Sequence, residues 1–246
     1  DKAFFMDKIP GVKCIIDFGC ADGAMIRMLA PLFPSITFVG YDSNKELIDR
    51  AREKTSYSNT MFCHKSEFWS MLAYVQDHWG KRSDYITVNF SSVLHEVFSE
   101  TEKDSIDAVR TLITELKPKY ITVRDMYFHM KYPEDSYLSE LTKIHILHSE
   151  TTKAPGKYNQ FQSVFGPIRS WKDLLHFLMK FQWRDNGYEQ ELKENYFSWN
   201  IQDLLNVVGD YNVIFETHYL LPYYWEQWHC SPDIHTHAQF ILRRMD

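Results

Sequence analysis

Apolar positions over residues 1–126 alternate between two rhythms. Short, nearly continuous apolar runs read as buried strands: 13–18, Ile36–Tyr41, part of NTMFCHKSEF, SDYITVNFS with Ile86, Thr87 and Val88, and KYITVRDM. Helical spacing fills the intervals at 24–32, in NKELIDRAREK with Ser43 or Asn44 as N-cap, and around 68–78. The strongest helical pattern is SETEKDSIDAVRTLITELKPK, acidic at its start, with Ile106, Val109, Leu112, Ile113 and Leu116 on one face and Pro118 as its stop. Strands alternating with helices imply right-handed crossovers and a mainly parallel sheet.

The rhythm changes over 127–209, where no strand pattern appears. Two capped amphipathic helices are expected there, SWKDLLHFLMKF from Ser170 and SWNIQDLLNVVG from near Ser198 to a glycine cap at Gly209. DYNVIFETHYL and THAQFILRR then return as strands, for a total of seven. The predicted architecture is an α/β fold, a mainly parallel seven-stranded sheet flanked by helices with a helical insertion after strand five. Its expected parts are a nucleoside-binding core (1–126), an aromatic-rich helical insertion (127–209) and C-terminal strands that complete the core sheet (210–246).

A length of 246 residues suits one elaborated α/β domain. The net charge of −6 argues against a broad basic surface for duplex nucleic acid, although a local basic groove is compatible with it. Cys14, Cys20, Cys63 and Cys230 form no CxxC pair, so neither a zinc site nor a disulfide framework is expected. Reduced thiols and the lack of a signal peptide or of an apolar run of about 18 residues point to a cytoplasmic protein off the membrane. The chain opens on Asp1 rather than Met, which leaves room for an upstream segment.

The chemistry concentrates in CIIDFGCADGAMIRML, residues 14–29. A strand runs into a loop with Gly19 and Gly23, and a helix follows. A dinucleotide fingerprint, GxGxxG, would need glycines where Ala21 and Ala24 stand. Asp17 and Asp22 put negative charge beside the loop, and Arg27 lies a turn deeper, so a cationic nucleoside suits it better than a pyrophosphate. Asp42 closes strand two, nineteen residues beyond Gly23, where an acid can take both hydroxyls of a ribose.

The segment IDFGCADG resembles motif I of the class I S-adenosylmethionine-dependent methyltransferases, acidic-x-Gly-x-Gly-x-Gly, with Ala21 in place of the middle glycine. HKSEFW after strand three and VNFSSVLHEV after strand four resemble two further family motifs in the expected order, over roughly residues 13–125. The resemblance implies S-adenosylmethionine as cofactor and S-adenosylhomocysteine as product. It further implies that Asp17 holds the methionyl end and that Gly19, Cys20, Ala21 and Gly23 lie against the cofactor. Asp42 and the adjoining Ser43 fall at the ribose, Ser66 or Glu67 at the adenine amino group, and Asn89 and Phe90 at the methionine end and the transferred methyl.

The acceptor is less constrained. VNFSS lacks the Asn/Asp-Pro-Pro-aromatic motif of exocyclic-amine methylation, and no Pro-Cys nucleophile for 5-methylpyrimidines is present. His95 is the candidate base, with bracing of its loop as the alternative reading; His129 and His218 are further candidates. Trp171, Phe177, Phe181, Trp183, Tyr196, Phe197 and Trp199 in the insertion suit a lid over a small acceptor, a stacking platform for an unpaired base, or simply the segment's own core. Residues 127–209 carry nine basic and ten acidic side chains, a balance of −1 that makes no electrostatic funnel. Three functions follow: methylation of a small or medium-sized acceptor under a helical lid, methylation of RNA or another nucleic acid, or a catalytically silent cofactor-binding subunit of a complex.

Overall fold

A computed structural model describes residues 2–81, 84–99, 103–131, 155–228 and 233–245. Seven strands, β1 (Cys14–Phe18), β2 (Thr37–Asp42), β3 (Thr60–His64), β4 (Ile86–Ser91), β5 (Tyr120–Met130), β6 (Tyr211–Tyr219) and β7 (Ile234–Arg244), form one sheet in the order β3-β2-β1-β4-β5-β7-β6. The β1–β2, β1–β4, β2–β3 and β4–β5 pairs are parallel. Arg244 N donates to Lys119 O at one end of the β5–β7 pair and Lys131 N to Asp233 O at the other, so β7 runs against β5. The expected mainly parallel sheet is therefore present. β1 and β4 are buried at every position, which is why they read as unbroken apolar runs.

In chain order the helices are α1 (Ala24–Leu29), α2 (Lys45–Lys54), α3 (Phe68–Trp79), α4 (Leu94–Val97), α5 (Lys103–Leu116), α6 (Pro155–Phe165), α7 (Trp171–Phe181), α8 (Tyr188–Glu191), α9 (Ile201–Val208) and α10 (Pro222–Trp228). Asn44 caps α2, its Oδ1 accepting from Glu46 N and Leu47 N. α1 stops three residues short of the expected 32. There the Asn59 amide donates to the carbonyls of Ala30, Phe33 and Ile36, tying down a turn where the apolar spacing suggested more helix. α9 starts at Ile201 rather than near Ser198, because Asn200 Oδ1 accepts from Gln202 N and Asp203 N while Asp203 accepts from Asn200 N. β5 continues to Met130, past the expected end of strand five. Its first six residues are buried and its last five half-buried, so the apolar signal faded before the strand did.

The chain divides into two compact units, residues 1–125, 199–217 and 238–246 in the first and 126–198 and 218–237 in the second. In the first, Phe5, Ile15, Ile26, Phe38, Ile48 and Ile241 are among the fully buried core side chains. In the second, Phe161, Leu174, Phe177, Phe181, Tyr196 and Phe197 build a separate apolar core. Ser170 and Asp173 close a reciprocal capping box at the start of α7, as its sequence predicts. That helix is buried at every position from Leu174 to Phe181, including Lys180. Lys180 Nζ donates to Glu191 O and lies 3.7 Å from the centroid of the Tyr196 ring. Among the described residues, no helix is long and apolar enough to cross a membrane.

Candidate functional site

The glycine loop leaves β1 with its backbone bent into conformations that side chains disfavour. Gly19 (φ 76°), Ala21 (φ 49°) and Gly23 (φ 73°) all adopt left-handed backbone. A Cβ on Gly19 would meet Val93 at 2.5 Å, and one on Gly23 would meet the Phe62 ring at 2.6 Å. Both glycines are thus required by packing as well as by φ. Gly19 N and Cys20 N donate to Tyr41 O, which draws the loop toward the end of β2. There Asp42 accepts from Ala21 N on one carboxylate oxygen (2.9 Å) and from Asn44 N on the other (2.8 Å). A carboxylate has about four lone-pair sites, so both oxygens retain capacity for hydroxyl donors.

Behind the loop, parallel register sets Asp17 beside Asn89 and Asn89 beside Thr122. Asn89 Nδ2 donates to Asp17 Oδ1 at 2.8 Å, and Thr122 Oγ1 donates to Asn89 Oδ1 at 2.8 Å. Burial pushes the Asp17 carboxyl up to about 7, against the smaller opposite pull of the Asn89 hydrogen bond. Ser91 lies two residues beyond Asn89 on β4, on the same face of the strand, and its buried Oγ has no hydrogen-bond partner among the described residues. Phe90 projects oppositely into the core, fully buried, 5.5 Å from the Phe18 ring. The Cys20 thiol is also buried, and burial together with the charges of Asp17 and Asp42 raises its pKa, so it packs rather than reacts.

Asp22 does not act as bare negative charge beside the loop. Lys54 Nζ, thirty-two residues away on α2, meets Asp22 Oδ2 at 2.7 Å, and Arg27 lies 3.7 Å from the same oxygen. These partners hold the Asp22 carboxyl below its usual range. The preference for a cationic ligand therefore rests on Asp17 and Asp42.

Ser43, Ser66 and Glu67 gather around His64. His64 Nε2 lies 3.1 Å from Ser43 O, and its Nδ1 accepts from Ser66 N, which assigns the proton to Nε2. Glu67 accepts from His64 N at 2.8 Å and pairs with Arg52 at 2.7 Å, an ordinary start to the helix that follows. Ser43 and Ser66 are exposed.

His95 is 2% exposed in α4, and its Nδ1 lies 2.7 Å from Asp125 Oδ1. The other Asp125 oxygen accepts from the backbone N–H groups of Val93, Leu94 and His95. One buried carboxylate thus caps the short helix and orients the imidazole. Asp125, Thr122 and Ser91 were not singled out in the sequence. An acid inside the apolar run YITVRDM was the one available signal, and it pointed to burial with a partner rather than to which partner. His129 and His218 belong to the second unit, where their rings stack 4.0 Å apart.

The donor set fits a nucleoside that carries a positive charge and a free diol. It presents a buried carboxylate at the base of the loop, a second at the end of β2, an unpartnered hydroxyl on β4, and cations near the loop already engaged by Asp22. The family profile described as "Methyltransferase domain" matches residues 1–180. No curated protein matches the chain significantly. Solved structures share the fold at low identity. An S-adenosylmethionine-dependent methyltransferase from Anabaena variabilis is 12% identical, with a TM-score of 0.55 over 98% of this chain and 81% of that one. One from Mesorhizobium loti is 13% identical, with a TM-score of 0.53 over 99% of this chain and 98% of its own. A putative one from Listeria monocytogenes is 12% identical, with a TM-score of 0.51 over 100% of this chain and 98% of its own. With a family match over most of its length, on this strand order and this glycine loop, the chain belongs to the class I S-adenosylmethionine-dependent methyltransferases.

Proposed function

We propose that this methyltransferase modifies a small or medium-sized acceptor, and that the helical segment of the second unit serves as its recognition element and lid. The observation that carries the acceptor reading is the burial of that segment's aromatics. Phe177, Phe181, Tyr196 and Phe197 are consumed in the core of the second unit and Trp199 is 5% exposed, whereas Trp183 alone of the seven reaches 50%. A stacking platform for unpaired bases needs exposed ring faces, and the near-neutral charge of the segment adds no pull on phosphate. The three described cysteines are free and buried, in keeping with a reducing, intracellular setting.

Asp17, steadied by Asn89, would hold the ammonium of the methionyl group, and Asp42 the ribose hydroxyls. The backbone of Gly19, Cys20, Ala21 and Gly23 would line the cofactor, with Ser43, Ser66 and Glu67 toward the adenine side. When bound, S-adenosylmethionine supplies a methyl group on a sulfonium centre, open to in-line attack. This chain's part is alignment, together with removal of a proton where the acceptor carries one. With Nδ1–H directed at Asp125, the His95 lone pair lies on Nε2, the atom that would receive that proton.

Calorimetry with S-adenosylmethionine and S-adenosylhomocysteine tests the cofactor site; folded protein that binds neither would overturn it. Radiolabelled methyl transfer into fractionated extract, with and without nuclease, tests the acceptor. Label in a nuclease-resistant small-molecule fraction supports the proposal. Nuclease-sensitive label would transfer the function to RNA or DNA, and binding without any transfer would make the chain a silent partner subunit.

A further inference from the structure

Three side chains on the central strands of the sheet form one buried, hydrogen-bonded row in the first unit. Parallel register sets Asp17 of β1, Asn89 of β4 and Thr122 of β5 side by side. Asn89 and Thr122 are wholly buried, and Asp17 is 3% exposed. Thr122 Oγ1 lies 2.8 Å from Asn89 Oδ1, and Asn89 Nδ2 lies 2.8 Å from Asp17 Oδ1. An ionised carboxylate only accepts, so it takes the amide nitrogen and leaves the amide oxygen to the Thr122 hydroxyl proton. Both donors in the row therefore point the same way, toward Asp17.

We propose that Thr122 is a positioning residue for cofactor binding, its hydroxyl acting through Asn89 to keep the Asp17 carboxylate directed and charged for the methionyl ammonium. The inference rests on the reading of Asp17 given above. Hydrogen bonds aligned in a row polarise one another, so a donor on Asn89 Oδ1 strengthens the bond from Nδ2 to the carboxylate. Without the hydroxyl, the buried Asn89 oxygen loses its donor. A protonated Asp17 that donates to it then becomes the better arrangement, and the carboxyl holds its proton more tightly. The other charged groups acting on Asp17 are Lys2, near the N-terminus, which favours the ionised form, and Asp42, at the end of β2, which opposes it. Burial keeps the Cys20 thiol of the loop protonated. Burial also brings the Asp17 carboxyl to about 7, so a modest change in its donors changes how much of it is ionised at neutral pH.

The test compares Thr122→Val, which deletes the hydroxyl and keeps the branched shape, with Thr122→Ser, which keeps the hydroxyl. Carbon-13 NMR of the Asp17 carboxyl in ligand-free protein reads its midpoint directly. Thr122→Val should raise that midpoint by about one unit, leaving about a tenth of the carboxyl ionised at pH 7, and Thr122→Ser should stay near the unmutated value. Calorimetry with S-adenosylhomocysteine should then show a loss of about fivefold for Thr122→Val at pH 7 that fades as the pH is raised. Binding of 5′-methylthioadenosine, which lacks the amino-acid head, should show no such loss. A folded Thr122→Val with an unshifted midpoint overturns the proposal, as does an affinity loss that is the same at every pH. A shifted midpoint with unchanged S-adenosylhomocysteine affinity overturns instead the reading of Asp17 as the ammonium's partner. In the unmutated protein the Asn89 side-chain nitrogen should titrate with the Asp17 midpoint. An Asn89 amide indifferent to that titration overturns the proposal without recourse to any variant.

Discussion

The Asn89 side-chain amide donates to Asp17 Oδ1 at 2.8 Å in a setting where both residues are almost fully buried. One neutral donor offsets only part of the cost of burying a carboxylate, so Asp17 sits poised between protonated and ionised at neutral pH. The folded pKa near 7 lies above the ordinary 3.8, so the folded state holds this proton more tightly than the unfolded chain does. Its contribution to stability is fully present below pH 3.8 and declines as pH rises to 7, by on the order of 4 kcal/mol at most. Asp17→Asn should therefore raise the melting temperature at pH 8 while weakening cofactor binding at least tenfold. A variant less stable than the parent at that pH would contradict the assignment.

If Asp17 holds the methionyl ammonium as proposed, the same carboxyl should make cofactor binding pH-dependent. A cationic group beside Asp17 favours its ionised form, so affinity for S-adenosylmethionine should climb between pH 6 and 8 and binding should release a proton near neutrality. Calorimetry in buffers of different ionisation enthalpy reads that proton directly. A flat profile would remove Asp17 from the binding site.

Ala21 holds φ at 49° where only the methyl-free residue is relaxed. Ala21→Gly should relieve roughly 1–2 kcal/mol of backbone strain and lose about half of it to the added freedom of the unfolded chain. A net gain below 1 kcal/mol in urea denaturation is expected, with cofactor affinity retained. Asp42→Ala, by contrast, strips the acceptor from Ala21 N and Asn44 N and should cut cofactor affinity at least tenfold.

Asp125 and His95 can be separated by the kind of damage each causes. Asp125→Ala leaves three buried backbone N–H groups without their acceptor and should cost about 2–4 kcal/mol of stability. His95→Gln keeps the polar volume. If His95 is the base, kcat falls by roughly 10²–10⁴ with KM little changed and the acidic limb of the pH–rate profile disappears. A full-rate variant assigns His95 to bracing alone.

Lys180 offers a test of the second unit by itself. Burial lowers its pKa from 10.5 to about 8, against the raising pull of Glu191 and Glu194. The folded state disfavours the charged form, so stability is reduced below pH 8 and recovers as pH rises toward 10.5, by on the order of 3 kcal/mol. Lys180→Met should flatten that rise in pH-dependent denaturation. An unchanged slope would show that the Tyr196 ring and the Glu191 carbonyl fully offset the desolvation.

What was legible in the sequence followed from local rules. Buried parallel strands leave unbroken apolar runs, and the glycine loop and Asp42 declare themselves by spacing along adjacent elements. What was not legible depends on partners far apart in the chain. Lys54 neutralises Asp22 from the end of α2, Asp125 reaches His95 from the next strand, and Ser91 shares a face with Asp17 only through sheet register. The extension of β5 to Met130 leaves no apolar run in the sequence, because half-burial replaces it with mixed residues. The helix start at Asn200 escaped because two cap-forming side chains, Ser198 and Asn200, compete in the sequence and only the capping box decides between them.

The sheet order β5-β7-β6 fixes an order of events. Ribosomal synthesis delivers β6 before β7, yet β7 is the strand that lies between β5 and β6. Until it arrives, β5 presents an open row of amide and carbonyl groups to any other chain, and β6 has no neighbour to join. A nascent chain stalled before residue 234 is therefore a sticky one, and deletions within 234–244 should produce aggregation rather than a trimmed, working enzyme.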